Sequence, residues 1–225
     1  MPESSYIKSM FDDISPKYDL LNDLLSVGIH RFWKKKLISL ALNSNPTSVL
    51  DCATGTGDIA FGIEKYSVKR IVGLDFSPLM IEAANTRKSK KNSRVTFQVG
   101  DVSHLTFKDQ EFDVATISFG IRNVENLSLS LRELSRVSKS LYILEFGAPE
   151  NKMWKKTYFN MLKLYFPFLS AITKRSDAYE YLISSSEAFP SGNDFCQMIK
   201  ENTNFQTIKF SPIFGGIAYI YSAER

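Results

Sequence analysis

SVLDCATGTGDIA, residues 48–60, sets the reading of the whole chain. Val49 and Leu50 belong to an apolar strand that ends at Asp51. Small residues follow, Ala53-Thr54-Gly55-Thr56-Gly57, and a helix is expected from Asp58. Gly55 and Gly57 let a ligand approach the backbone closely and let the chain turn where a Cβ would clash. The next apolar strand, Arg70 to Leu74, again ends in an acid, Asp75.

Outward from this unit, strands are expected at 48–52, 70–75, 95–100, 112–118 and 141–146, with helices near 58–66, 78–90 and 126–138. Ser77-Pro78 reads as an N-cap followed by the first helical residue. Strands alternating with helices argue for a parallel sheet wrapped on both faces, and nearly all-apolar strands agree. Upstream, residues 5–42 read as helical: Met10, Phe11, Ile14, Tyr18, Leu21 and Leu25 recur at helical spacing, with Ser15-Pro16 dividing two helices. Downstream, Glu150 to Ile172 is crowded with aromatic residues and broken at Pro167. Two last strands, 205–211 and 216–222, should pair antiparallel around Gly215-Gly216. One domain is expected over 1–225: a helical cover (1–45), a cofactor-binding core (46–148), and a substrate cover with the strand pair (149–225).

An apolar content of 44% is ample for one core. The excess of 28 basic over 24 acidic side chains does not indicate nucleic-acid binding. Basic residues do cluster, at Arg31 to Lys36 and at Arg87 to Arg94. Such runs are usually solvated helix faces, though mixed with aromatics they also suit anionic lipid. Cys52 and Cys196 form neither a metal motif nor a disulfide framework, and His30 and His104 suggest no metal. The polar N-terminus lacks a signal-peptide core and no apolar run is long enough to span a membrane, so a reducing cytoplasm is expected.

Gly55-x-Gly57-x-x-Ala60, with Asp75 following, also satisfies the dinucleotide fingerprint, so a nicotinamide-dependent dehydrogenase is a rival reading. Two features oppose it. Asp51 would repel a pyrophosphate but attract an ammonium and a sulfonium, and Ala53-Thr54 lengthen the turn before the glycines. S-adenosylmethionine fits better: Asp51 toward its amino-acid end, Gly55 to Gly57 beneath it, and Asp75 on the ribose. Asp101, at the end of the third strand, reaches the adenine edge.

Longer stretches carry a family resemblance. MFDDISPKYDLLNDLLSVGIHRFWKK (10–35), VGLDFSPLMI (72–81), GDVSHLTFKDQEFDVATISFGIRNV (100–124), AYEYLISSSEAFP (178–190) and GGIAYIY (215–221) resemble the quinone-ring C-methyltransferases of menaquinone and ubiquinone biosynthesis. The GTGD turn is common among methyltransferases; the YDxxND, SFGIRN and AYxYLxxSxxxFP runs are far more specific. The resemblance implies an α/β, Rossmann-like, seven-stranded methyltransferase sheet. It implies cofactor contacts at Thr56, Asp75, Asp101, Val102 and Ser118. It also implies C-methylation of a reduced polyprenyl quinone precursor, demethylmenaquinol first and a demethylated benzoquinol second. Peripheral membrane contact and a homodimer are compatible with it. One departure is Ser138-Lys139-Ser140, a shortened turn before the fifth strand.

The segment Ser118 to Asn123 leaves the fourth strand beside the expected methyl group. Arg122 is suited to a developing phenolate, its ordinary alternative being an ion pair with a nearby acid. Asn123 can orient a ring hydroxyl. A base would be a water, Tyr18, Asp19 or His30, although His30 is as readily a packing residue.

Overall fold

The computed structural model describes residues 28–173 and 176–225. Its elements run α1 (His30–Ala41), β1 (Ser48–Cys52), α2 (Asp58–Glu64), β2 (Arg70–Asp75), α3 (Pro78–Lys91) and β3 (Thr96–Val99). They continue with β4 (Phe112–Ser118), a 3-10 turn (Ile121–Asn123), α4 (Leu127–Val137), β5 (Ser138–Phe146), α5 (Lys152–Thr173) and α6 (Ser176–Ala188). α7 (Asn193–Asn202), β6 (Thr207–Ile213) and β7 (Ala218–Glu224) complete the chain. α1 occupies the end of the expected helical region 5–42; the part before residue 28, with Tyr18 and Asp19, lies outside the described residues.

Local chemistry sets several boundaries. Ser77 caps α3 by accepting the Met80 N–H at 3.2 Å, and Pro78 opens the helix. Lys88, Lys90 and Lys91 occupy the last turn, where cations oppose the helix dipole, and left-handed Asn92 ends it. Asn126 caps α4 through the Leu129 N–H at 3.0 Å.

The seven strands order as β3-β2-β1-β4-β5-β7-β6. β1 to β5 are parallel, and β7 inserts antiparallel between β5 and β6. Alternation along each strand divides the core between the two faces. Leu50, Val72, Ala115, Ile117 and Leu141 pack toward α4 and α7, with Leu131, Leu134, Phe195 and Ile199. Val49, Ile71, Val114 and Leu144 pack toward α1, α2 and α3, with Leu37, Ile59, Ile63 and Ala84. A third, smaller cluster of Tyr158, Phe159 and Leu162 joins α5 to Leu182 and Ile183 of α6.

Three expectations need correction. The last two strands lie two residues later than expected, because Phe214, Gly215 and Gly216 all have positive φ and must form the turn. Ser138 to Ser140 is no turn: α4 ends at Val137 and β5 begins at once, with Ser138 Oγ closing on the Leu134 carbonyl at 2.7 Å. The backbone of α5 stays helical through Pro167.

Candidate active site

A cavity of about 410 Å³ opens at the C-terminal ends of β1 to β4. β1 leads to β2 on one side and is flanked by β4 on the other, so this is the topological switch point of the sheet. Asp75, the last residue of β2, lines it and is 6% exposed. Its Oδ2 accepts the Gly55 N–H at 2.7 Å and its Oδ1 the Ser77 N–H at 3.1 Å. A carboxylate presents about four acceptor sites, so the group that braces the glycine turn can also hold a ribose diol.

The turn itself is made for close backbone approach. Gly55 has φ +55° and Gly57 φ +90°. A Cβ on Gly57 would meet Phe97 Cζ at 2.7 Å and Phe61 Cε2 at 2.8 Å. Ala53 and Phe119, neither a glycine, also have positive φ, and a Cβ on Gly120 would strike the Cβ of Ala53. The turns after β1 and β4 therefore meet at the cavity in strained conformations, a common device at functional sites. Phe119 is held there by stacking on Phe146, with centroids 4.4 Å apart.

Not every expected cofactor residue faces this cavity. Gly55, Asp75, Asp101, Val102 and Ser118 line it; Asp51, Thr56 and Gly57 do not. Asp51 is 1% exposed, and its oxygens accept from Thr54 Oγ1 at 2.6 Å and Thr116 Oγ1 at 2.8 Å. It braces the turn from beneath, and burial pushes its carboxyl up to about 6. Thr56 is bound by Arg87, whose Nη1 donates to its carbonyl at 3.0 Å and to its hydroxyl at 2.5 Å. Arg87 Nη2 also reaches Asp58 at 2.8 Å, and Lys34 reaches the same carboxylate at 3.0 Å. Burial opposes ionisation of Asp58, but these two cations bring its carboxyl down to about 2. Members of both basic clusters thus clamp the glycine turn as well as facing water.

The acceptor side is built by the 3-10 turn and α6. Asn123 lines the cavity, and its Oδ1 accepts from Tyr181 Oη at 2.8 Å. Arg122 is nearly buried, its side chain 7% exposed, and pairs with wholly buried Glu145 of β5. Its backbone N–H donates to Glu145 Oε2 at 3.3 Å, its Nη1 to the Phe119 carbonyl at 3.2 Å, and its Nε to Ser185 Oγ at 3.4 Å. Burial raises the Glu145 carboxyl above the ordinary range while Arg122 pulls it back. The ion pair weighed as the ordinary alternative for Arg122 is present, with Glu145 as its acid. His30 is buried at the start of α1 and does not line this cavity. Glu145, Tyr181, Phe119 and Glu125 were missed from sequence. Glu145 had a signal: a lone acid in the apolar strand LYILEF must have a partner.

The residues present suit S-adenosylmethionine. Among the described residues three carboxylates line the cavity (Asp75, Asp101 and Glu125) and no basic side chain does, which favours a cationic ligand over a pyrophosphate. Phe76, Met80 and Val102 offer apolar surface to an adenine. Among the described residues Ser118 Oγ is buried without a hydrogen-bond partner, an orphan that a bound ligand would satisfy. Among the described residues no group of His, Cys, Asp and Glu could hold a metal ion.

Fold and cavity together define an S-adenosylmethionine-dependent methyltransferase. A methyltransferase of that kind from Thermotoga maritima superposes with a TM-score of 0.66, covering 96% of this chain and 98% of its own, at 16% identity. The chain matches the ubiE/COQ5 methyltransferase family model over residues 2–225 and belongs to that family. It is 36% identical to the ubiquinone/menaquinone biosynthesis C-methyltransferase UbiE of Bdellovibrio bacteriovorus, covering 98% of this chain and 96% of the relative. It is 34% identical to the demethylmenaquinone methyltransferase of Chlorobaculum parvum, covering 98% and 93%. The nicotinamide reading ends with that membership.

Proposed function

We propose that this methyltransferase methylates a ring carbon of a reduced polyprenyl quinone precursor, demethylmenaquinol in the first place and a demethylated benzoquinol in the second. The full-length similarity to relatives named for both quinone pathways carries the reading. Bound S-adenosylmethionine supplies an electrophilic methyl group. A quinol carbon accepts it readily only when the neighbouring hydroxyl gives up its proton, so the protein must favour a phenolate in a site sheltered from water.

In this reading Asp75, Asp101, Val102 and Ser118 hold the nucleoside, and Asn123 touches the acceptor. Arg122, compensated by Glu145, acts less as a lone cation than as the brace that sets the turn carrying Asn123. Alignment of donor and acceptor can contribute about 7–11 kcal/mol on its own. Among the described residues no helix is long and apolar enough to cross a membrane. Met153 and Leu164 of α5 and Phe214 are strongly exposed, and Lys152, Lys155, Lys156 and Lys163 share that helix. That mixture suits peripheral contact with the membrane in which a polyprenyl substrate resides.

The test is mass spectrometry after incubation with methyl-labelled S-adenosylmethionine and chemically reduced naphtho- and benzoquinols in parallel. Label on a ring carbon of the naphthoquinol is expected. Label on the benzoquinol alone selects the second substrate, and label on neither overturns the proposal.

A further inference from the structure

The turn that carries Asn123 is tied to α6 by two side-chain bonds from residues one helical turn apart. Tyr181 Oη donates to Asn123 Oδ1 at 2.8 Å, and Ser185 Oγ accepts from Arg122 Nε at 3.4 Å. Positions four apart share a helix face, so both bonds come from the side of α6 that meets the turn. Beneath the turn, Glu145 binds both the side chain and the backbone N–H of Arg122. Its position is thus held from β5 below and from α6 beside it.

Tyr181 does more than add a tether. A primary amide has an acceptor at one end and two donors at the other. Tyr181 engages the acceptor end, and the Asn123 backbone N–H is spent on the Gly120 carbonyl at 3.0 Å. Among the described residues no hydrogen bond uses Asn123 Nδ2, and Asn123 lines the cavity. With the hydroxyl donating to Oδ1, the amide stands in the orientation that keeps its donor end for a ligand.

We propose that Tyr181 is a positioning residue for methyl transfer: it orients the Asn123 amide so that Nδ2 presents its N–H groups to an oxygen of the methyl acceptor. The proposal rests on the quinol reading. An oxygen that gains negative charge during the reaction gains most from a donor already in place. Without the Tyr181 hydroxyl the amide can rotate and offer its oxygen instead, which would repel that charge. Substrate and cofactor can then bind while the reactive complex forms less often.

The experiment is a double-mutant cycle of Tyr181→Phe and Asn123→Ala. It reads kcat and KM for the quinol, the S-adenosylmethionine Kd by calorimetry, and the urea midpoint. Tyr181→Phe should lower kcat about tenfold, leave the cofactor Kd within about twofold, and cost nothing further once Asn123 is alanine. Asn123→Asp keeps an acceptor for Tyr181 but removes the donors. It should lose kcat as Asn123→Ala does, which keeps the question decidable if Tyr181→Phe loosens the fold. Additive losses in an active enzyme, or full activity of Asn123→Asp, overturn this inference alone. No turnover by the unaltered protein on either quinol overturns the quinol reading and this inference together.

Discussion

The two walls of the cavity are made in different ways. On the cofactor side, a strand, a glycine turn and a helix form one local unit, closed by a backbone N–H of Gly55 on Asp75 in the next strand. On the acceptor side, a short turn depends on side chains brought from far away. Arg122 meets Glu145, 23 residues on, and Ser185, 63 residues on, while Asn123 meets Tyr181, 58 residues on. The first wall owes its shape to backbone conformation, and the second to partners supplied by packing. Damage should therefore take different forms on the two sides.

The largest effect is expected from Glu145→Ala, which leaves the Arg122 guanidinium buried and uncompensated. Unfolding free energy should fall by about 3–5 kcal/mol in urea titration. Unchanged stability would break the comparison, since the acceptor wall would not then depend on its distant partner. On the cofactor side, Asp75→Asn should spare most of the fold and strike binding. Loss of the carboxylate that would hold the ribose should weaken S-adenosylmethionine about 100-fold by calorimetry. An affinity within a few fold of the original would remove Asp75 from the site.

A smaller, pH-dependent effect sharpens the contrast within the cofactor wall. Burial raises the Asp51 carboxyl from 3.8 to about 6, so the folded protein holds this proton more tightly than the unfolded chain does. The corresponding stabilisation is complete below about pH 4 and is lost as pH rises through about 6. Asp51→Asn keeps one acceptor and adds a donor between the two threonine hydroxyls. Relative to wild type it should gain up to about 3 kcal/mol between pH 4 and pH 8. Parallel stability curves for the two proteins would show that Asp51 does not titrate in that window.

The central elements were legible because their signals are local. Asp51 to Gly57, Ser77-Pro78 and the apolar runs of β1, β2 and β4 each announce their conformation within a few residues, and all three strands lie where expected. Where the reading slipped, a tertiary partner or a detail of φ had decided. Arg122 reads as a charge for a phenolate or as half of an ion pair, and its partner could not be named because it lies in a buried strand. Asp51 reads as a ligand contact, and the hydroxyl that also engages it, Thr116, lies 65 residues on. The Phe214 turn displaced two strands through a positive φ at a residue other than glycine.

The sequence by itself determined the strand and helix order, the glycine turn with its following acids, and the family. These follow from periodicity, steric freedom at glycine, and motifs that span few residues. Only the tertiary structure decided which acids face the cavity, which cation is already paired, and which helix supports the acceptor side. The reason is physical: a charge or an amide carries no mark in sequence of what it will touch. Its role is set by the desolvation and hydrogen bonding that arise when distant segments pack together.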